Sequence, residues 1–218
     1  MTVVIIRARY YMTIVIAREV GVVESQDSRQ KLVAGAADMI RRRGLNATSV
    51  RELAKYAHAP LGSTYHYFPG GKTQLATEAV TFAGDLTATV LARELENGPV
   101  EGLRAFLRMW RKIVVDSDFQ AGCPVLAVSV EDLAEADAAP HQAAATAFTR
   151  WTDLLTASLR THGADPADAA RTATLIVAAV EGSVAICRAE RSAAALDRIG
   201  EKLDTIVEDA IGRTHHTP

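Results

Sequence analysis

The residues that could do chemistry in this chain are polar side chains on one short segment. Ser63, Tyr65, His66 and Tyr67 offer hydroxyl and imidazole groups next to Gly62, which has no side chain. Such groups suit hydrogen bonding to base edges and phosphate oxygens. A glycine also keeps the segment thin enough for the DNA major groove, which is roughly 12 Å wide. We therefore predict that this segment contacts DNA.

Motifs of enzymes and metal sites are absent from the sequence. It has no G-x-S-x-G, H-E-x-x-H or glycine-rich dinucleotide motif, and its six histidines are scattered. Residues 71–73 resemble the end of a phosphate-binding loop, but His66 stands where that loop needs an earlier glycine. We predict no catalytic residue, metal ion or cofactor, and hence no enzyme.

Charge is distributed unevenly along the chain. The net charge is -2, yet residues 25–80 carry eight Lys or Arg against four Asp or Glu. The residues after 80 carry 13 basic and 20 acidic side chains. A positive segment attracts phosphates and a negative one repels them. DNA binding is therefore expected only in the N-terminal part.

A helix-turn-helix is predicted to hold the polar segment. Apolar residues recur every three or four positions over residues 28–43, which predicts a helix that stops at Gly44. Thr48 or Ser49 can cap a second helix ending near His58. A third helix is predicted from about Leu61 to Tyr67, and two short helices joined by a tight turn make a helix-turn-helix.

The rest of the chain also has helical periodicity, so the predicted fold class is all-α. Helical stretches are divided at residues 97–99, 119–124, 137–140 and 162–166, where Gly and Pro accumulate. We predict an N-terminal three-helix helix-turn-helix domain followed by a larger helical domain for ligand binding and dimerisation. The predicted boundaries are an extension at 1–24, the two domains at 25–80 and 81–213, and a tail at 214–218.

Cysteine usage and the N-terminal residues suggest a cellular location. Cys123 and Cys187 lie far apart without CxxC spacing, so neither a zinc site nor a disulfide framework is indicated. The apolar stretch 2–23 is interrupted by charged residues and is too short in any run to cross a bilayer. We expect a cytoplasmic protein without a membrane partner, and a flexible extension over residues 1–24.

Residues 48–72 read TSVRELAKYAHAPLGSTYHYFPGGK. This segment closely resembles the TetR-family DNA-binding region, in which a T-x-x-x-[IL]-A helix precedes G-[ST]-x-Y-x-[YH]-F. Its FPGGK end is similar to the branch with LmrA/YxaF-type C-terminal domains. The resemblance covers residues 28 to about 80, and it implies a transcription regulator that binds double-stranded DNA.

The resemblance also implies which residues meet DNA. Tyr65 and Lys72 would hold phosphates, and Thr48, at a helix N-terminus, would donate its backbone N–H to another. The residues that would approach bases or backbone are Leu61, Gly62, Ser63, His66 and Tyr67. The alternative for Tyr65 and Tyr67 is a place in the core.

Two features favour less DNA contact. Arg41, Arg42 and Arg43 are expected to form a solvated helix end that answers the helix dipole. His58 replaces a usual glycine in the turn, Pro60 replaces the common Ser or Thr cap, and Leu61 replaces a frequent basic residue. The loss of that cation should make the salt dependence of binding shallower by about one unit of slope. These departures favour the alternative of a ligand-binding protein or enzyme that kept this fold and lost DNA binding.

The last two helices are predicted to form a dimer interface. Residues 166–189 are apolar on nearly every side of a helix, which must therefore bury more than one face. Two such helices per subunit would pack as a four-helix interface and set two recognition helices about one DNA turn apart, over a near-palindrome. The predicted interface residues are Ala179, Gly182, Ser183, Ile186, Leu196, Ile199, Leu203 and Ile206.

A ligand pocket is implied by the resemblance. Its expected lining is Phe106, Trp110, Val125, Val128, Trp151, Leu155 and Ile176, with Cys123 and Glu181 as polar groups. The alternative is that Trp110 and Trp151 are ordinary core residues and that Cys123 ends a turn. The leading hypothesis is a repressor released by a small apolar effector that favours a dimer geometry misfitting DNA.

Overall fold

The computed structural model describes residues 28–57, 59–133 and 138–212. Every regular element within these ranges is a helix, which confirms the all-α prediction there. The helices are α1 (Ser28–Arg43), α2 (Val50–Tyr56), α3 (Leu61–Tyr67), α4 (Gly71–Leu95), α5 (Pro99–Asp116), α6 (Pro124–Ser129), α7 (Ala139–Thr161), α8 (Pro166–Glu190) and α9 (Ala194–Gly212). The predictions for residues 1–24, 214–218 and His58 lie outside the described residues.

Local capping explains where the first helices begin and end. Gly44 follows α1 with φ +81°, a left-handed conformation that glycine adopts without a Cβ penalty. Ser49 is the N-cap of α2, and its side chain accepts a hydrogen bond from the Glu52 N–H, as the capping prediction requires. That helix ends at Tyr56, slightly earlier than predicted.

The described chain packs as two units. The first contains the residues up to Leu86 together with Cys123–Ala147, and the second contains Thr87–Gly122 and the chain from Phe148 onward. The segment that begins with α6 therefore packs in the same unit as the helix-turn-helix. The functional boundaries at 25–80 and 81–213 stay a prediction, since packing units need not follow them.

Apolar side chains of the first three helices form the core around the predicted DNA-binding segment. The inner face of α1 is buried as its periodicity predicts, with residues Leu32, Val33, Ala36, Ala37 and Ile40 at most 7% exposed. Thr64 of α3 and Phe68 just after it are fully buried. The opposite side of α3 is thereby turned outward.

The expectation of a solvated arginine run is wrong for Arg41, which is only 6% exposed. Its guanidinium pairs with Asp38, a buried carboxylate one turn earlier on α1, and Arg42 lies 3.1 Å from the other Asp38 oxygen. The Tyr56 hydroxyl also donates a hydrogen bond to Asp38. Arg41 and Arg42 therefore tie α1 internally, while Arg43 is exposed.

Helices α5, α8 and α9 form much of the second unit. An open groove of about 250 Å³ lies between α5 and α9. Two of the arginines that line it are bound to acids of α9, with 2.9 Å between Arg104 Nε and Asp204 Oδ2 and 2.8 Å between Arg111 Nε and Asp197 Oδ1. Hydrogen bonds donated to these carboxylates raise the pKa of both arginines further above their ordinary range. The groove is thus a salt-bridged seam between two helices.

Helix α8 is long and apolar enough by length and composition to cross a membrane, and no other helix in the described ranges is. Half of its most apolar window is buried inside the protein. A core helix that packs on more than one side has the same composition. Its apolar character is therefore explained by packing.

Candidate nucleic-acid interface

The outward side of α3 carries the polar groups predicted to read DNA. Tyr65 is 53% exposed. Gly62 and His66 are exposed, while Ser63 and Tyr67 are half-buried. A Cβ built on Gly62 would meet no atom within 4 Å, so the protein itself does not require glycine there. The thinness of the helix at this position matters only to something that approaches from outside.

Pro60 sets the start of α3 without a side-chain cap. It is the N-cap with φ -61° and ψ 135°, and its carbonyl accepts hydrogen bonds from the hydroxyls of Ser63 at 2.8 Å and Thr64 at 3.1 Å. Leu61 follows it and is half-buried. The Ser63 hydroxyl thus has a local partner, so its approach to DNA would use its oxygen lone pairs or a rotated side chain.

Thr48 is placed differently from the prediction. It is 5% exposed, its hydroxyl donates to the Gly44 carbonyl at 2.8 Å, and its N–H donates to the Leu45 carbonyl at 2.9 Å. Both donors are therefore already used inside the protein. Ser49 rather than Thr48 is the N-cap of α2, so the prediction of a phosphate contact by the Thr48 N–H is corrected: this N–H is bonded to Leu45.

Lys72 lies in the first turn of α4, after a loop held by side chains that no motif in the sequence identifies. The Arg29 guanidinium lies 5.2 Å from the centre of the Phe68 ring and 2.6 Å from the Glu78 carboxylate. Gln74 donates to Glu78 at 3.0 Å and accepts from the Gly70 N–H at 2.9 Å. This network fixes the end of α3 relative to α4, but its members lack a shared sequence motif.

The Lys72 ammonium donates to the Asn46 carbonyl at 3.3 Å in an exposed position. A lysine held this way keeps donors available for an outside acceptor, since an ammonium carries three N–H bonds. Its location agrees with a phosphate contact, which stays a prediction.

The predicted pocket residues are all buried but fall into both packing units. Phe106, Trp110, Trp151, Leu155, Ile176 and Glu181 belong to the second unit, and Cys123, Val125 and Val128 belong to the first. Three rings of the second unit pack edge to face, with centroids 6.2 Å apart for Phe106 and Trp110 and 6.3 Å for Phe106 and Trp151. This arrangement agrees with the alternative that the tryptophans are core residues.

Two polar groups in this set have distinct surroundings. The Trp110 indole N–H is buried and has no hydrogen-bond partner among the described residues. Cys123 is the N-cap of α6, and its sulfur accepts a hydrogen bond from the Leu126 N–H at 3.4 Å. Cys123 therefore lies at the start of α6. This position agrees in part with the alternative that Cys123 ends a turn.

The predicted dimer residues divide into inward and outward groups. Ser183, Leu196 and Leu203 are at most 2% exposed within the protomer. They belong to its core, which corrects their predicted place in the dimer interface. Their helices are apolar on several sides, and periodicity alone does not say which side faces inward. The residues that remain at least partly exposed are Ala179, Gly182, Ile186, Ile199 and Ile206. Leu175 and Ile186 are each 46% exposed.

Comparisons with known proteins match both parts of the chain. The family model for bacterial regulatory proteins of the tetR family matches residues 32–79, and that for the C-terminal domain of LmrA/YxaF-like transcriptional regulators matches residues 99–202. A relative from Mycobacterium tuberculosis, the uncharacterized HTH-type transcriptional regulator Rv0196, is 39% identical over 84% of this chain and 95% of its own.

Two further matches agree. The HTH-type transcriptional regulator LmrA of Bacillus subtilis is 29% identical over 72% of this chain and 85% of its own. The crystal structure of a TetR transcriptional regulator from Legionella pneumophila superposes with a TM-score of 0.75 at 21% identity, covering 84% of this chain and 98% of the other. With its exposed polar α3 on a buried three-helix core and matches over both segments, the chain belongs to the TetR family of DNA-binding transcriptional regulators, with an LmrA/YxaF-like C-terminal domain.

Proposed function

We propose that the protein is a repressor that binds a near-palindromic operator as a homodimer and leaves it when a small apolar effector binds. The observation that carries DNA recognition is the two-sided α3. Thr64 and Phe68 anchor one side in the core, while Gly62, Tyr65 and His66 leave a thin polar side exposed. Such a helix matches the dimensions and donor pattern of a major groove.

Binding to the DNA flanking the protein's own gene tests this proposal. Fluorescence anisotropy would compare a labelled duplex of that DNA with a scrambled duplex at two salt concentrations. We expect specific binding that weakens steeply with salt, because each neutralised phosphate contributes about -0.9 to the slope. If the protein binds none of these fragments at low salt, the result would instead support the alternative of a protein that has this fold and has lost DNA binding.

Gly62→Ala is expected to stabilise the protein and weaken operator binding. Alanine favours a helix over glycine by about 0.5–1 kcal/mol, and the new methyl meets nothing inside the protein. In the complex with DNA, the same methyl would press on the floor of the major groove, and overpacking of this kind costs roughly 1–3 kcal/mol. Thermal unfolding and anisotropy measure the two effects. Gly212→Ala is the matched control, since its Cβ also meets nothing, and it should leave operator affinity unchanged.

Dimer formation through α8 is supported by its outward stripe. Leu175, Ala179, Gly182 and Ile186 lie on one side of the helix at spacings of three or four residues. A Cβ placed on Gly182 would have no atom within 4 Å, so a second helix can approach the backbone closely there. We propose that two copies of α8 and α9 form the interface, in a cytoplasmic protein with no catalytic residues.

The effector is proposed to be small and largely apolar, with one hydrogen-bond acceptor. Burying an N–H without a partner costs about 1–3 kcal/mol, and the buried Trp110 indole N–H has no partner in the described part of the chain. An acceptor on the effector would recover this free energy. In a thermal-shift screen of matched apolar compounds, those with an acceptor should stabilise the wild type more. Trp110→Phe should remove that preference, and a preference that survives would contradict the role of Trp110.

A further inference from the structure

We propose that Glu131 is a positioning residue for DNA binding, acting as a carboxylate latch on the turn between α1 and α2. The inference rests on the proposed DNA-binding function, and it adds a residue that is far from α3 in the sequence. Glu131 follows α6, within the segment that matches the C-terminal family domain. The turn that it holds lies in the segment that matches the DNA-binding domain.

The contact uses both carboxylate oxygens. Oε1 of Glu131 accepts a hydrogen bond from the Leu45 N–H, and Oε2 accepts one from the Asn46 N–H at 2.7 Å. Two successive N–H groups point to one place because Gly44 adopts a left-handed conformation just before them. A Cβ at Gly44 would collide with the Glu131 carboxylate, so the turn and the latch fit each other closely. Hydrogen bonds to an ionised acceptor are about twice as strong as neutral ones.

The latched turn is hydrogen bonded to Lys72, a predicted phosphate contact, and to Thr48, which precedes α2. The Asn46 carbonyl receives the Lys72 ammonium at 3.3 Å. Thr48, which precedes the N-cap of α2, is hydrogen bonded to Gly44 and Leu45 through its hydroxyl and its N–H. A shift of the turn would therefore move both Lys72 and the start of α2.

Glu131 is itself held from its own side. Its N–H donates to the Val128 carbonyl at 3.2 Å, at the end of α6. Its carbonyl oxygen lies 2.9 Å from Nε2 of His141, on α7. The latch is therefore anchored to two helices within the first packing unit and reaches the turn across 86 residues of sequence.

The sign of the effect separates positioning from electrostatics. A carboxylate near a DNA-binding surface repels phosphates, so a purely electrostatic role predicts tighter DNA binding when its charge is removed. A positioning role predicts weaker binding, because the turn loses its fixed geometry. Asp132 is the matched control, since it carries the same charge at the next position and its side chain is exposed.

The experiment compares Glu131→Ala, Glu131→Gln and Asp132→Ala with wild type, using the labelled duplex from the DNA flanking the gene. We expect Glu131→Ala to weaken binding about tenfold, within the usual range of energetic coupling between sites. Glu131→Gln keeps one acceptor oxygen and should fall between it and the wild type. Asp132→Ala should bind as the wild type does or slightly tighter. In parallel, amide hydrogen exchange at Leu45 and Asn46 should accelerate only in the two Glu131 variants.

The outcomes are distinguishable. If the wild type binds the duplex and both Glu131 variants bind it equally well or more tightly, the latch alone is overturned. Unchanged amide hydrogen exchange at Leu45 and Asn46 also overturns the latch alone. Equal weakening by Asp132→Ala also overturns it, because the loss would then not depend on the hydrogen bonds that Glu131 accepts from Leu45 and Asn46. A wild-type protein that binds no fragment overturns the proposed function and this inference together. If Glu131→Ala does not fold, Glu131→Gln is judged by the same criteria.

Discussion

Replacing Ile186 with glutamate should convert the proposed dimer to a monomer and lower its operator affinity by roughly 10²- to 10⁴-fold, the contribution that a second linked site makes to binding. Ile186 is 46% exposed on the outward stripe of α8. In a twofold interface each such residue meets its symmetry mate or a near neighbour. Two buried carboxylates facing each other without cations would be strongly unfavourable.

Size-exclusion chromatography with light scattering measures the mass, and anisotropy measures DNA affinity. Val115→Glu is the control, because Val115 is similarly exposed at 40% but lies on α5. It should leave both the mass and the affinity unchanged. A dimeric Ile186→Glu protein with full affinity would show that the partner binds elsewhere on the protomer.

The elements that were predictable from sequence are those specified by neighbouring residues. Ser49 caps α2 through the Glu52 N–H, and Pro166 follows the Asp165 N-cap of α8, whose side chain accepts from two backbone N–H groups. Both signals span three or four positions. The buried face of α1 followed from its periodicity for the same reason. The all-α fold and the two-sided α3 were therefore within reach of the sequence.

The predictions that the structure corrects concern residues whose burial or partners depend on elements that are distant in sequence. Arg41 was expected in solvent, but Asp38 lies one turn away on a face that other elements cover. Leu203 was expected at the interface, because a helix that is apolar on several sides leaves the inward direction open. Glu131 was not identified at all, since its partners Leu45 and Asn46 are far away in sequence and contribute only backbone N–H groups. No side-chain pattern marks such a contact.

Asp38→Asn should lower the free energy of unfolding at neutral pH by about 3 kcal/mol, the lower end of the cost of breaking a buried ion pair. Asp38 is 2% exposed and is the shared partner of Arg41 and Arg42. The variant leaves Arg41, itself 6% exposed, without its counter-charge. Chemical denaturation measures the change, and Asp132→Asn is the control at an exposed aspartate, for which we expect no loss.

The same cluster predicts how stability depends on pH. Burial alone would raise the Asp38 pKa, but the charges of Arg41 and Arg42 and the hydrogen bond from Tyr56 outweigh it and hold the pKa below its ordinary value of 3.8. Burial and the Asp38 charge raise the pKa of the Tyr56 hydroxyl, so it stays protonated and remains a donor. A carboxyl with a lowered folded-state pKa contributes stability that is fully present above its unfolded pKa and is lost as pH falls through the folded one.

We therefore expect the difference in unfolding free energy between wild type and Asp38→Asn to be constant from pH 7 to about pH 5 and to shrink progressively below about pH 4. Tyr56→Phe should show a smaller loss of about 1–3 kcal/mol at neutral pH, because it removes one donor from a buried carboxylate that keeps both arginines. Denaturation at several pH values tests both variants. A difference between wild type and Asp38→Asn that grows as the pH falls would mean that Asp38 is not stabilised in its charged form. The ion pairs of Asp38 with Arg41 and Arg42 could not then be what stabilises α1.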